Sequence, residues 1–326
     1  MSSSFNKEMG RRGFLSTAAG LMSLPIVEGV LAAEKPDSTG LIIDDHQHTD
    51  YSATVYWPRI PGRNHADLIV HQRNMGVIKT ILLPAGPDFM LGLPCGGNDS
   101  VVTLAREHPE EFAYFANEDP RLPGAQQTLE KYLKAGAIGI GEQKFPVDCD
   151  SPAMHKVAEV AQEFGVPILL HFEDDDGTSL YCNMHLERFH TMLERYPSVI
   201  FLGHAQSWWA NLDAKFQGGV SYPKGPITPG GLTERLLSNY PNVYGDISAG
   251  SGLNALLRDE DYTRDFLKRF QDRLTFGSDC SDSAGHGQTC VGWNIIQAVR
   301  RLAEPAVSDK ILRTNTLRIH QGRLKV

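Results

Sequence analysis

The chain has 326 residues, with 39 Asp and Glu against 31 Lys and Arg and a formal net charge of −8. That acidic balance argues against nucleic acid and anionic membrane surfaces as partners. Five cysteines (Cys95, Cys149, Cys182, Cys280 and Cys290), with no C-x-x-C pair, exclude a disulfide framework, argue against a cysteine zinc site and leave at least one thiol free.

In chain order, residues 1–33 come first. Arg11-Arg12 precede Phe14-Leu15, a mildly apolar stretch runs to about Val27, and small residues follow at Ala32-Ala33. Charged, apolar, then a small-residue cleavage site is the order of an export signal. The paired arginines resemble a twin-arginine signal. That resemblance implies the twin-arginine export machinery as a partner, export of the folded chain, and a periplasmic or secreted location. Gly20, Ser23 and Pro25 make the stretch too short and broken to span a bilayer, and no other segment is long and apolar enough. Residues 34–326 are then expected to form a single domain.

Eight short apolar runs follow at near-regular spacing: 41–46, 79–84, 112–117, 137–144, 167–173, 199–205, 243–248 and 274–279. Segments with helical spacing lie between them. The segment before the fifth run has Ser151 as N-cap, Pro152 at the first helical position and Gly165 as terminator. Strands alternating with helices indicate βαβ units and a parallel sheet. Eight units fit an α/β chain folded as a (β/α)8 TIM barrel. The rival, an open doubly wound sheet, loses support because no G-x-G-x-x-G follows the first run.

Active sites of such barrels sit at the C-terminal strand ends. The first run ends in His46-Gln47-His48, whose two imidazoles share a face at a period of two. Alone, that pair is either a metal-binding pair or two unrelated polar residues. The fourth run ends in Glu142 and Lys144, the fifth in His171, the sixth in His204, the seventh in Asp246 and the eighth in Asp279. Scattered core histidines would not select such positions.

His-x-His on the first strand, His on the fifth and sixth and Asp on the eighth resembles the amidohydrolase superfamily. More narrowly, it is similar to the amidohydrolase-related branch of aminocarboxymuconate decarboxylase-like and lactonase-like enzymes. The resemblance covers nearly all of residues 34–326 and includes "DKILRTNTLRIH" near the C-terminus. It implies that His46, His48 and His171 bind one divalent metal, with zinc the first choice. It makes Asp279 a further ligand or the base for an attacking water, and His204 a group that polarises substrate or holds that water. Fourth-strand Glu or Lys residues of relatives bridge a second metal, so Glu142 is a candidate ligand and two ions stay open. Lys144 would bridge or neutralise a substrate carboxylate.

Other residues carry weaker expectations. Asp246 reads as a structural hydrogen-bonding group. Trp208, with Trp57 and Trp209, falls in a mouth loop and stacks either on substrate or on the loop itself. Arg59 and Arg63 are expected at the surface, with a carboxylate grip as the alternative. Residues 173–177, "EDDDG", read as a solvated acidic loop. The expected activity is hydrolysis of a lactone, ester or amide of a small molecule by metal-activated water. A metal-dependent non-oxidative decarboxylase and a non-catalytic periplasmic binding protein are the alternatives. Relatives are often dimers, which leaves a homodimer open.

Overall fold

A strand buried on both faces needs apolar residues at nearly every position, and the eight predicted runs meet that need. In the computed structural model, which describes residues 41–51, 62–85, 95–174, 181–320 and 322–326, each run overlaps a strand, the second of which starts two residues early. These are β1 (Ile42–Gln47), β2 (Val77–Leu82), β3 (Phe112–Tyr114), β4 (Ile140–Gln143), β5 (Ile168–His171), β6 (Phe201–His204), β7 (Val243–Ile247) and β8 (Leu274–Phe276). All ladders are parallel. The fold is a (β/α)8 barrel. Residues 1–40, with the expected signal, lie outside the described residues.

The barrel is built from two sheets, β1-β2-β3 and β4-β5-β6-β7-β8. One seam is bridged in parallel between Ala116 and Ile140. The other is closed by the Asp279 amide donating to the His46 carbonyl (2.8 Å) and the Ser278 amide donating to Asp44 Oδ1 (2.8 Å). A buried carboxylate thus stands where a longer ladder would supply a carbonyl.

Ile43, Leu83, Phe115, Leu169, Leu202 and Tyr244 meet in one buried cluster inside the barrel. A larger cluster packs the outer strand faces against the helices. The helix Pro152–Phe164 follows its sequence signals: Ser151 Oγ accepts from the Met154 amide, Pro152 opens the helix and Gly165 closes it at φ 61°. No described helix is long and apolar enough to cross a membrane.

Candidate metal centre

Simple alternation from Ile43 would send His46 outward. The β1–β2 register slips between Asp44 and Gln47, and such a bulge re-aims side chains. His46 and His48 then face the barrel axis together, their Nε2 atoms 3.3 Å apart. Gly277 makes room, because a Cβ there would strike the side chains of His46 and Asp246.

The other ring nitrogens fix the tautomers. His46 Nδ1 lies 2.7 Å from Asp246 Oδ2, and His48 Nδ1 lies 2.8 Å from the Leu83 carbonyl. His204 Nδ1 lies 2.7 Å from Ser248 Oγ, which itself donates to Asp246 Oδ2 at 2.7 Å. Each Nδ1 therefore carries a proton, and the Nε2 atoms of all three rings are turned to the centre. Such partners orient metal-ligating histidines.

Two carboxylates complete the centre. Glu142 Oε2 is 3.3 Å from His48 Nε2 and 3.7 Å from His46 Nε2. Asp279 Oδ1 is 3.5 Å from His48 Nε2, and its Oδ2 is 3.4 Å from His204 Nε2. Asp279 adopts φ 38°, and Ala205, next to His204, adopts φ 82°. Backbone strain of this kind is concentrated at functional sites.

Electrostatics follow from this crowding. Burial opposes charge on His46, but Asp279 and Asp246 outweigh it and hold the ring's pKa well above the histidine range. Burial would raise Glu142, yet Lys144 and His171 hold it well below the carboxylate range. Asp279 is likewise held low against burial by His46 and His204. Burial lowers His204.

This cluster fits a divalent cation. Lone pairs and carboxylate oxygens 3.3–3.7 Å apart repel unless a proton or a metal lies between them. Glu142 Oε2 is buried without a hydrogen-bond partner. Nitrogen and oxygen donors in this number suit a catalytic divalent site. His46, His48 and Asp279 form one group able to share an ion, and His46, Glu142 and His204 another.

Two expected site residues stand differently. His171 is in neither group: its Nδ1 faces Glu142 Oε1 at 2.6 Å and its Nε2 faces Glu173 Oε2 at 2.9 Å. It joins the centre through Glu142. Trp208, expected to stack on substrate or on its own loop, is fully buried and stacks on Phe172 at 5.7 Å between centroids. Its ring fills the space a Gly203 side chain would occupy. Trp209 is also buried, donating to the Asp246 carbonyl.

Other expectations are corrected. Arg63 is not at the surface: it is buried, and it donates to the carbonyls of His48, Cys280 and Asp282 and to Gln47 Oε1. Glu173 is buried against His171 and not part of a solvated loop. Asp246 has the hydrogen-bonding role expected of it. Trp57 and Arg59 lie outside the described residues. Sequence reasoning missed Ser248, for which only its place two residues after Asp246 was a signal.

A cavity of about 180 Å³ opens beside the centre, lined among the described residues by Tyr51, Lys144, His171, His204, Tyr222 and Asp279 with others. Lys144 is its single Lys or Arg there, and it makes no hydrogen bond or ion pair among the described residues.

Comparisons with known proteins agree with the fold. The sequence profile of a family described as Amidohydrolase matches residues 79–320. An uncharacterized TIM-barrel protein from Bordetella bronchiseptica superposes with TM-score 0.62 at 14% identity, covering 86% of this chain and 99% of that one. A probable 2-pyrone-4,6-dicarboxylic acid hydrolase from Acinetobacter baumannii gives TM-score 0.56 at 14% identity, with 86% and 99% covered. A 2,6-dihydroxybenzoate decarboxylase from Rhizobium gives 0.55 at 15%, also with 86% and 99% covered. No match was found among curated proteins.

Proposed function

Because the chain belongs to the amidohydrolase family and is an enzyme of that superfamily, we propose that it hydrolyses a small carboxylated lactone or ester in a metal-dependent reaction. One observation carries this reading. The ionised Asp279 stands among the inward-facing Nε2 atoms of His46, His48 and His204, at a cavity that also holds Lys144.

His46, His48, Glu142 and Asp279 would hold the ion, with His204 in reach and zinc as the first candidate. When bound, a divalent ion supplies a Lewis acid and lowers the pKa of water towards about 7. Asp279, held ionised, takes a proton from the attacking water and returns it to the leaving oxygen. His204 steadies that carboxylate from 3.4 Å. Lys144 binds the substrate carboxylate and so aims the carbonyl at the centre.

A decarboxylase is the second reading. Both chemistries occur among structural neighbours, whose 14–15% identity speaks for the fold alone. A lyase calls for a strong carboxylate clamp beside the ion. Here Lys144 is the single lining cation among the described residues, and Arg63 is committed to carbonyls and Gln47. That favours hydrolysis.

The test is a screen of carboxylated lactones, aryl esters and hydroxybenzoates, read by acid release and by CO₂. Acid release lost in His46→Ala/His48→Ala and in Asp279→Asn supports the proposal. Evolution of CO₂ with no hydrolysis replaces it by the lyase.

We also propose export of the folded chain through its paired arginines. Arg11→Lys/Arg12→Lys is expected to leave the protein in the cytoplasm; unchanged export of that variant would refute the assignment.

A further inference from the structure

A second cluster of metal-ligating side chains lies outside the barrel mouth. His71, on the helix His65–Met75, turns Nε2 towards Cys280 Sγ (3.3 Å), Cys290 Sγ (3.7 Å) and Asp282 Oδ2 (3.2 Å). The four ligand atoms all lie within 4.8 Å of one another. With metal–sulfur bonds of about 2.3 Å and metal–nitrogen or –oxygen bonds of about 2.0–2.1 Å, a tetrahedral site has edges of roughly 3.3–3.8 Å. The distances from His71 to the two sulfurs fall within that range, and the one to Asp282, at 3.2 Å, lies just below it.

The surroundings orient each group as a ligand. His71 Nδ1 lies 3.0 Å from Gln72 Oε1, an acceptor, which puts the proton on Nδ1 and the lone pair on Nε2. Asp282 Oδ1 is occupied by the amides of Ala284 and Gly285, both at 2.9 Å, leaving Oδ2 to face His71. Cys290 Sγ accepts from the Trp293 amide at 3.4 Å, and Cys280 Sγ from Gln47 Nε2 at 3.8 Å. Arg63 donates to the carbonyls of Cys280 and Asp282, offsetting the negative charge of two thiolates and a carboxylate. Gly285, at φ 71°, passes so close to the His71 backbone that a Cβ would collide with it. His71, Cys280 and Cys290 are buried.

We propose that His71, Cys280, Asp282 and Cys290 form a structural site for a zinc-type ion. Cys280 and Cys290 are both free thiols, and His71 Nε2 faces their sulfurs as well as its ion-pair partner Asp282. The site joins the helix after β1 to the segment after β8, and so pins the loop that carries Asp279. All four protein ligands are supplied, as in closed structural sites. The proposal does not depend on the proposed reaction.

Cobalt substitution of the reduced full chain tests it, because thiolate-to-cobalt charge-transfer absorption arises only where sulfur binds. The mouth cluster offers nitrogen and oxygen alone. The expected result is this absorption at about one equivalent in the wild type, retained in His46→Ala/His48→Ala and lost in Cys290→Ser. Should Cys290→Ser fail to fold, Asp282→Ala serves: it keeps both sulfurs, and cobalt affinity at this site is expected to fall at least tenfold. Unchanged affinity in Asp282→Ala, no charge-transfer absorption in the wild type, or a Cys280–Cys290 disulfide in metal-replete protein overturns the site.

Discussion

His46 Nδ1 sits 2.7 Å from Asp246 Oδ2, with both side chains buried, so a carboxylate on β7 fixes an imidazole carried by β1. Asp246 also accepts from Ser248 Oγ, which orients His204. One carboxylate therefore sets two rings. Asp246→Asn is expected to lower metal affinity at the mouth by about 10–100-fold. Competition with a chelator of known affinity measures this. Unchanged affinity would show that His46 keeps its orientation without the carboxylate.

Lys144 lines the cavity beside Glu142, whose carboxylate its charge stabilises, and makes no hydrogen bond or close ion pair among the described residues. A charge-assisted hydrogen bond contributes about 1.5–3 kcal/mol. Lys144→Met should therefore raise KM for a carboxylated substrate by roughly 10–100-fold and leave an uncharged analogue little affected. Steady-state kinetics on the pair decides it; equal losses on both would remove Lys144 from substrate recognition.

Trp208 belongs to the core. Trp208→Ala should cost about 3–5 kcal/mol of stability through loss of its packing on Phe172 and Gly203. Urea unfolding reports this directly. A stability loss below about 1 kcal/mol together with a raised KM would return Trp208 to the substrate.

His320 lies buried under the barrel against Phe115, and burial pushes its pKa down to about 4. The unfolded chain takes up that proton near pH 6.5, the folded chain only near 4. Stability from the neutral ring is thus complete above pH 6.5 and is lost as pH falls towards 4. Over the whole window the loss is roughly 3 kcal/mol. In His320→Leu this part of the acid limb should vanish. Parallel pH courses for the two proteins would contradict it.

The eight strands were legible because each is buried on both faces and reads as an apolar run between helical segments. His46 and His48 were legible because a period of two survives a register slip that changes the phase of the strand. The slip itself has no sequence signature. Neither has the burial of Arg63, whose hydrogen-bond partners lie far along the chain at Cys280 and Asp282. Glu173 looked like one member of an acidic run, yet a single step along the chain separates a residue facing His171 from its neighbours. Trp208 was misplaced because loop position says nothing about whether a ring turns inward. The Cys280–Cys290 cluster escaped because its histidine lies 209 residues before Cys280, far outside any compact ligand spacing.

The two seams divide the centre. His46 and His48 ride on the three-stranded sheet, and Glu142, His204 and Asp279 on the five-stranded one or its ends. An ion held by both groups fastens one sheet to the other. Ion affinity and barrel closure are then two readings of one equilibrium: whatever loosens a seam weakens the ion's grip, and the ion returns the same free energy as resistance to opening. The protein's chemical centre is in that sense its buckle, and amide exchange at Gly141 and Asp279, two of the residues whose N–H groups cross the seams, should track metal occupancy.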